Sequence, residues 1–157
     1  MKWSDVAIPL VAKFEGCEKR RPDGRIYPYL DKLAKPPVWT RGYGRTYGIT
    51  EGSGGITAAE AAEELGAGLA DYARRCLALA PALASKPLAM AAVSSWAWNC
   101  GVGAFKHSRL RTAINQGRWH DAAELIKRPR TAGGVELRGL ARRRDAEAAI
   151  FRQDTQR

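Results

Sequence analysis

The chain has 157 residues, 45% of them apolar and 27% charged, a balance that excludes disorder and fibrous structure and, at roughly 150 residues per domain, allows one domain. Its 26 Lys and Arg against 16 Asp and Glu leave a formal charge of +10, a field that favours polyanionic surfaces and says nothing of fold. Three cysteines, Cys17, Cys76 and Cys100, are too few and too scattered for a disulfide framework and read as reduced thiols of a protein made in a cytoplasm.

No targeting segment is expected: Asp5 stands where a signal peptide carries bases, and the apolar run Val6–Ala12 is short and broken by Pro9. Ser4 is the expected cap of a first helix, whose apolar positions Val6, Ala7, Leu10, Val11 and Phe14 recur at helical spacing. Pro9 argues for a later start, and Gly16 for the stop. The polar stretch Cys17–Gly24 closes on the turn signal Pro22-Asp23-Gly24. From Arg25 to Thr50, aromatic and β-branched residues alternate with Gly and Pro, which predicts short antiparallel strands joined by tight turns. Gly52–Gly55 reads as a loop. Thr57-Ala58-Ala59-Glu60 fits a capping box that opens an alanine-rich helix to about Leu79.

The remainder reads as helical with short breaks: Pro87–Asn99, Ser108–Asn115, Arg118–Lys127 and Glu136–Phe151. Pro87–Phe105 carries no charge, but its glycines end the helix near Asn99, well short of the ~20 apolar residues that span a bilayer. It is expected as a buried core helix, and no transmembrane segment is expected. The fold class expected is α+β, a single domain over residues 1–157. A β-rich lobe covers about residues 17–56, a helical lobe about 57–157 plus the first helix, and a cleft is expected where the lobes meet.

Chemistry falls to carboxylates by elimination. His107 and His120 lack the clustered partners of a zinc site, and neither a phosphate-cradling loop nor a nucleophile elbow occurs. Cys100 beside His107 reads as a structural cysteine. Glu15 ends the apolar stripe Leu10, Val11, Phe14 and precedes Gly16, so it is expected in the last turn of a helix, partly on the inward face. Desolvation and the negative helix end would both keep such a carboxyl protonated, as general-acid cleavage of a glycosidic bond requires; the alternative is an ordinary surface glutamate. Asp31 follows a strand and precedes a Pro-Pro loop, where a carboxylate stays ionised and can activate a water, with the Thr40 hydroxyl as that water's second partner. Gly42 and Gly44 flank Tyr43, leaving backbone open to a sugar ring. Asp31 also fits an Asx turn and the glycines a hairpin turn.

Together these residues resemble the phage-type lysozymes, the muramidase endolysins of tailed phages. Phe14-Glu15-Gly16 is similar to the family's catalytic Glu-Gly. Tyr29-x-Asp31 and Thr40-x-Gly42-Tyr43-Gly44-x-Thr46 resemble its Tyr-x-Asp and Thr-Ile-Gly-Tyr-Gly-x-Thr signature. Ile56-Thr57-x-x-Glu60-Ala61 resembles the start of its interlobe helix, and Trp98-Asn99-Cys100-Gly101-Val102-Gly103-x-Phe105 its Phe-Asn-x-Gly-x-Gly-x-Phe run. Trp119-x-Asp121-Ala122-Ala123 and Gly139-Leu140-x-x-Arg143-Arg144-x-x-Glu147 follow in the same order.

The resemblance implies a lysozyme-like fold with Glu15 as general acid, Asp31 as second carboxylate and Thr40 holding the attacking water. The implied reaction is inverting hydrolysis of the β-1,4 bond between N-acetylmuramic acid and N-acetylglucosamine, with the carboxyls about 6.5–9.5 Å apart. Gly42, Tyr43, Asn99, Phe105 and Arg143 are its expected substrate contacts. No metal or cofactor and no nucleic-acid partner is implied. A monomer acting on peptidoglycan glycan strands is implied, made in the host cytoplasm and reaching the wall once the membrane is permeabilised.

The chain also departs from the family pattern. Lys19–Arg25 reads as an inserted turn that makes Asp23 a rival to Asp31. Asp31 is preferred because it keeps the preceding tyrosine and the link to the Thr40 strand. Arg41 and Arg45 replace the family's isoleucine and histidine and are expected to add charge along the cleft rim. Arg138–Arg144 holds four arginines within seven residues, read either as a solvated helix face or as attraction to an anionic cell-envelope surface, with Arg143 expected near Glu15. The rival functions are a lytic transglycosylase and a non-catalytic cationic wall-binding module.

Overall fold

Helix α1 spans Trp3–Glu15. Its first turn is closed by Asp5, whose carboxylate accepts from the Lys2 backbone N–H at 3.0 Å, the reach-back half of a capping box. Lys2, not Ser4, therefore holds the cap position. Pro9 does not delay the helix but sits inside it at an exposed position, where solvent can satisfy the carbonyl its ring leaves unpaired. At the other end Gly16 donates to the Ala12 carbonyl at 3.2 Å and then turns left-handed at φ 66°, a conformation open to glycine at no steric cost.

The computed structural model describes residues 1–16 and 20–156. The expectations placed on Cys17, and on the openings of the polar stretch and of the inserted turn at Lys19, fall outside the described residues. The chain divides into two compact units, Val11–Gly68 and Met1–Leu10 with Leu69–Arg157.

In the unit Val11–Gly68, strands β1 (Tyr29–Asp31) and β2 (Val38–Thr40) pair antiparallel, with Tyr29 opposite Thr40, Leu30 opposite Trp39 and Asp31 opposite Val38. The strands predicted between Arg25 and Thr50 are thus realised as two of three residues, and most of that segment is turns, bends and irregular chain. Ile26 and Ile56 exchange two backbone hydrogen bonds of 2.8 and 2.9 Å. With Ala61 they form a small buried cluster against which Tyr43 packs. Helix α2 (Ala58–Leu79) opens on the predicted capping box: the Thr57 N–H donates to Glu60 Oε2 at 2.7 Å, and the Glu60 N–H to Thr57 Oγ1 at 3.1 Å.

The other unit is built on helices: α3 (Pro87–Cys100), α4 (Val102–Lys106), α5 (Arg109–Asn115), α6 (Trp119–Leu125) and α7 (Arg138–Arg152), with a 3₁₀ turn at Pro81–Ser85. Every residue of α3 from Ala89 to Ala97 is buried, as expected of a charge-free core helix, and no helix among the described residues is long and apolar enough to cross a membrane. Its Lys86 end has no side-chain cap of its own. Asp154, beyond α7, supplies one, accepting from the Leu88 and Ala89 N–H groups at 2.8 and 3.2 Å and placing negative charge at the positive helix end.

The break expected after Asn99 falls at Gly101, and the short helix α4 that follows it was not expected. Nor is the region helical throughout: strands β3 (Thr131–Ala132) and β4 (Val135–Glu136) form a hairpin around Gly133-Gly134. This hairpin takes Glu136 and moves the start of α7 to Arg138.

Candidate active site

The β1–β2 register decides how Asp31 and Thr40 relate. Side chains alternate across a strand, so Tyr29, Asp31, Val38 and Thr40 share one face of the pair, while Leu30 and Trp39 take the other. Asp31 and Thr40 are diagonal neighbours on that face, a spacing of roughly 7–8 Å in an antiparallel pair. Asp31 closes an Asx turn, accepting from the Leu33 N–H at 2.9 Å and the Ala34 N–H at 3.4 Å. Both bonds fall on Oδ1, which leaves Oδ2 for a water. Thr40 is buried at 4% exposure, and its hydroxyl donates to the Val38 carbonyl at 3.3 Å. That fixes the hydroxyl proton and leaves the oxygen lone pairs to accept.

Glu15 is the last residue of α1, as its place before Gly16 predicted, but it is exposed. The expected inward-facing carboxyl is corrected: the buried stripe of the helix is Ala7, Leu10 and Val11, and Phe14 is only half-buried. Burial in the free protein therefore does not desolvate this group.

Asp23 is fully occupied by its own turn. Its Oδ1 accepts from the Arg25 N–H at 2.9 Å and its Oδ2 from the Tyr27 hydroxyl at 2.7 Å. The Tyr27 hydrogen bond, followed by that of Arg25, holds this carboxyl below its ordinary value, and the same contact raises the Tyr27 phenol. With both oxygens engaged, Asp23 has the geometry of a turn residue, and Asp31 is the carboxylate that keeps an oxygen available.

Gly42 and Gly44 take positive φ, 63° and 104°, in a turn whose ends, Arg41 and Arg45, exchange backbone hydrogen bonds. Gly42 is buried, and a side chain there would meet Ala61 at 3.6 Å and Ile56 at 3.8 Å. Those are ordinary contact distances, so the positive φ is what calls for glycine here, and the buried position is not the open backbone expected for a sugar ring. Arg41 is likewise not a free rim charge: its guanidinium and that of Arg45 both meet Glu64, at 2.7 and 2.8 Å.

In the helical unit, Phe105 is fully buried and meets Trp96 edge-on at 6.3 Å. It is a core residue, which corrects its expected role as a substrate contact. Asn99 is exposed, and its amide oxygen accepts from Arg144. The arginine-rich segment is only half solvated: Arg138 and Arg142 are exposed, whereas Arg143 and Arg144 are buried with Glu147. Glu147 accepts from Ser95 Oγ at 2.7 Å and Arg143 Nε at 3.2 Å and lies 2.9 Å from Arg144 Nη1, while Arg143 also donates to the Ser95 carbonyl at 3.1 Å. Burial pushes the Glu147 carboxyl up, against the opposing pull of both arginines and Ser95.

Cys76 and Cys100 are unpaired thiols, the first pushed by burial up to about 12, which makes it chemically inert. No group of three His, Cys, Asp or Glu suited to a metal ion occurs among the described residues. A groove of about 930 Å³ in the helical unit is lined by Trp96, Arg109, Glu124, Arg128, Arg130 and Glu136 among others, and contains none of Glu15, Asp31 or Thr40.

The sequence profile of phage lysozymes matches residues 12–147. The endolysin of Bacillus phage PZA is 41% identical over 64 residues, which are 41% of this chain and 25% of that protein. The chain thus spans about a quarter of the length of the curated relatives it matches. Among solved structures, the muramidase domain of SpmX from Asticaccaulis excentricus superposes with a TM-score of 0.78 at 25% identity, covering 96% of this chain and 97% of that one. The endolysin from Escherichia coli O157:H7 phage FAHEc1 superposes with a TM-score of 0.73 at 25% identity, covering 98% and 94%.

Proposed function

The chain belongs to the phage lysozyme family, and on that premise we propose that it hydrolyses the β-1,4 bond between N-acetylmuramic acid and N-acetylglucosamine in bacterial peptidoglycan. The observation that carries the reading is the β1–β2 register, which sets Asp31 and the Thr40 hydroxyl on one face, with Asp31 Oδ2 unengaged among the described residues. In this reading Glu15 donates its proton to the glycosidic oxygen as that bond breaks. Asp31 takes a proton from a water that Thr40 holds through an oxygen lone pair. The water adds to the anomeric carbon from the opposite side, so the configuration inverts. Glu15 is exposed in the free protein, and a glycan strand laid over it would exclude the water that burial does not, so the catalytic contacts tighten in the complex. Lysis of the host, with synthesis in its cytoplasm and access to the wall after the inner membrane is permeabilised, belongs to the same proposal and rests on the family.

The test is release of reducing ends from purified wall. Glu15→Gln and Asp31→Asn are each expected to lower it by about 10²-fold or more, the size of a general acid or base contribution, with an unchanged thermal midpoint. Mass spectrometry of the fragments should show reducing muramic ends; anhydro ends, one water lighter, would assign a lytic transglycosylase instead. Turbidity loss that survives Glu15→Gln would point to a non-catalytic cationic module.

A further inference from the structure

One face of α2 meets the Gly42–Gly44 turn. Ala61 lies under Gly42, and Glu64, three residues on, lies on the same face of the helix. A single oxygen of Glu64, Oε1, receives both Arg41 Nη2 at 2.7 Å and Arg45 Nη1 at 2.8 Å. Arg41 also donates to the Gly54 carbonyl at 2.9 Å, and Arg45 to the Tyr47 carbonyl at 3.2 Å. Between these two arginines the backbone closes on itself, with hydrogen bonds of 2.9 and 3.1 Å. Thr40 immediately precedes Arg41 at the end of β2.

We propose that Glu64 is a positioning residue: by binding Arg41 and Arg45 together it fixes the end of β2, and with it the Thr40 hydroxyl. This rests on the reading of Thr40 given above. The backbone pair brings two cations close whether or not an anion is present. The Arg41 side chain is 12% exposed and that of Glu64 17%, so water and salt screen this contact weakly. Among the described residues Arg41 Nε and Glu64 Oε2 are buried without a hydrogen-bond partner, so the contact of both arginines with this carboxylate rests on Oε1. Without the carboxylate, the repulsion is relieved when the turn lifts from α2 and carries Thr40 with it. The family signature has an apolar residue and a histidine where this chain has Arg41 and Arg45, so the demand for a carboxylate comes with these two arginines.

Turnover of soluble peptidoglycan strands separates positioning from mere stabilisation. Glu64→Gln should lower kcat about tenfold, less than the ~10²-fold that a displacement of about 1 Å can cost, with KM within about twofold. In a Thr40→Ala background the same change should lower kcat no further. The double variant Arg41→Ile with Glu64→Leu restores an apolar contact and leaves Arg45, whose side chain is 44% exposed, to water. It should return kcat to within about threefold of the parent. A folded Glu64→Gln protein with parental kcat would overturn the proposal, as would an equal loss in both backgrounds. If Glu64→Gln does not fold, the double variant decides: parental turnover supports the clamp, and a tenfold loss in a folded protein overturns it. Thr40→Ala at parental kcat would remove the Thr40 reading itself, and the clamp's role with it.

Discussion

Each of the two units holds one glutamate between two arginines, and the surroundings give the same three charges different work. In the unit Leu69–Arg157, Arg143, Glu147 and Arg144 are almost wholly out of water, with Glu147 and Arg144 at 0% exposure, and they join α7 to Ser95 of α3 through hydrogen bonds. In the unit Val11–Gly68, Arg41, Glu64 and Arg45 are partly wet and fasten a glycine turn beside Thr40. A charge trio inside an apolar core costs a great deal if one member is lost, because the others have no solvent to turn to. At the edge of a turn the same loss is softened where Arg45, 44% exposed, can turn to water, and what changes is geometry.

The sharpest way to break that comparison is Glu147→Ala. It removes the carboxylate that faces two buried guanidiniums and should lower the unfolding free energy by about 3–5 kcal/mol, read from the urea midpoint. Glu64→Gln should cost less, and an equal loss at both sites would erase the distinction. Next, Phe105→Ala should destabilise by about 3–5 kcal/mol, the usual cost of deleting a buried ring, while turnover per folded molecule stays at the parental level. A kcat or KM change in folded protein would restore Phe105 as a substrate contact.

The smallest effect concerns acid. Glu60 is held below its ordinary value of 4.5 by its hydrogen bonds to the Thr57 N–H and hydroxyl. A carboxyl depressed in the folded state adds stability that is present above its unfolded pKa and disappears as pH falls through the folded one. Thermal midpoints measured downward from about pH 5 should therefore fall less steeply for Glu60→Gln than for the parent; parallel curves would dismiss the contribution of this cap.

Much of the fold was legible because its signals are local. The Thr57–Glu60 box opens α2, Gly16 closes α1, Ser108 caps α5 by accepting from the Arg111 N–H, and the uncharged run around α3 is the core helix it was expected to be. Local signals also misled where two of them met. Ser4 and Pro9 pointed to a later or differently capped α1, yet Asp5 three residues after Lys2 does the capping. The hairpin Thr131–Glu136 was hidden because strands of two residues have no periodicity to read.

The candidate site divides along the same line. Placing Glu15 at a helix end, Asp31 at a strand end and Thr40 at another needed only neighbours in the chain. Whether Asp31 or Asp23 keeps an oxygen available could not be settled from spacing, because it depends on which donors each turn folds back onto the carboxylate. Exposure of Glu15 was misjudged because a helical stripe tells which face is apolar, not how far along the helix something packs against it.

The sequence by itself determined most element types and their order through hydrophobic period and caps, and its short motifs carried the resemblance that names the residues at which chemistry is expected. The tertiary structure alone decided which charges are buried, which aromatic belongs to the core, and that Asp154 caps a helix beginning at Pro87. Those outcomes are pairings between residues far apart in the chain, and a carboxylate's environment is set by what folds against it rather than by what precedes it.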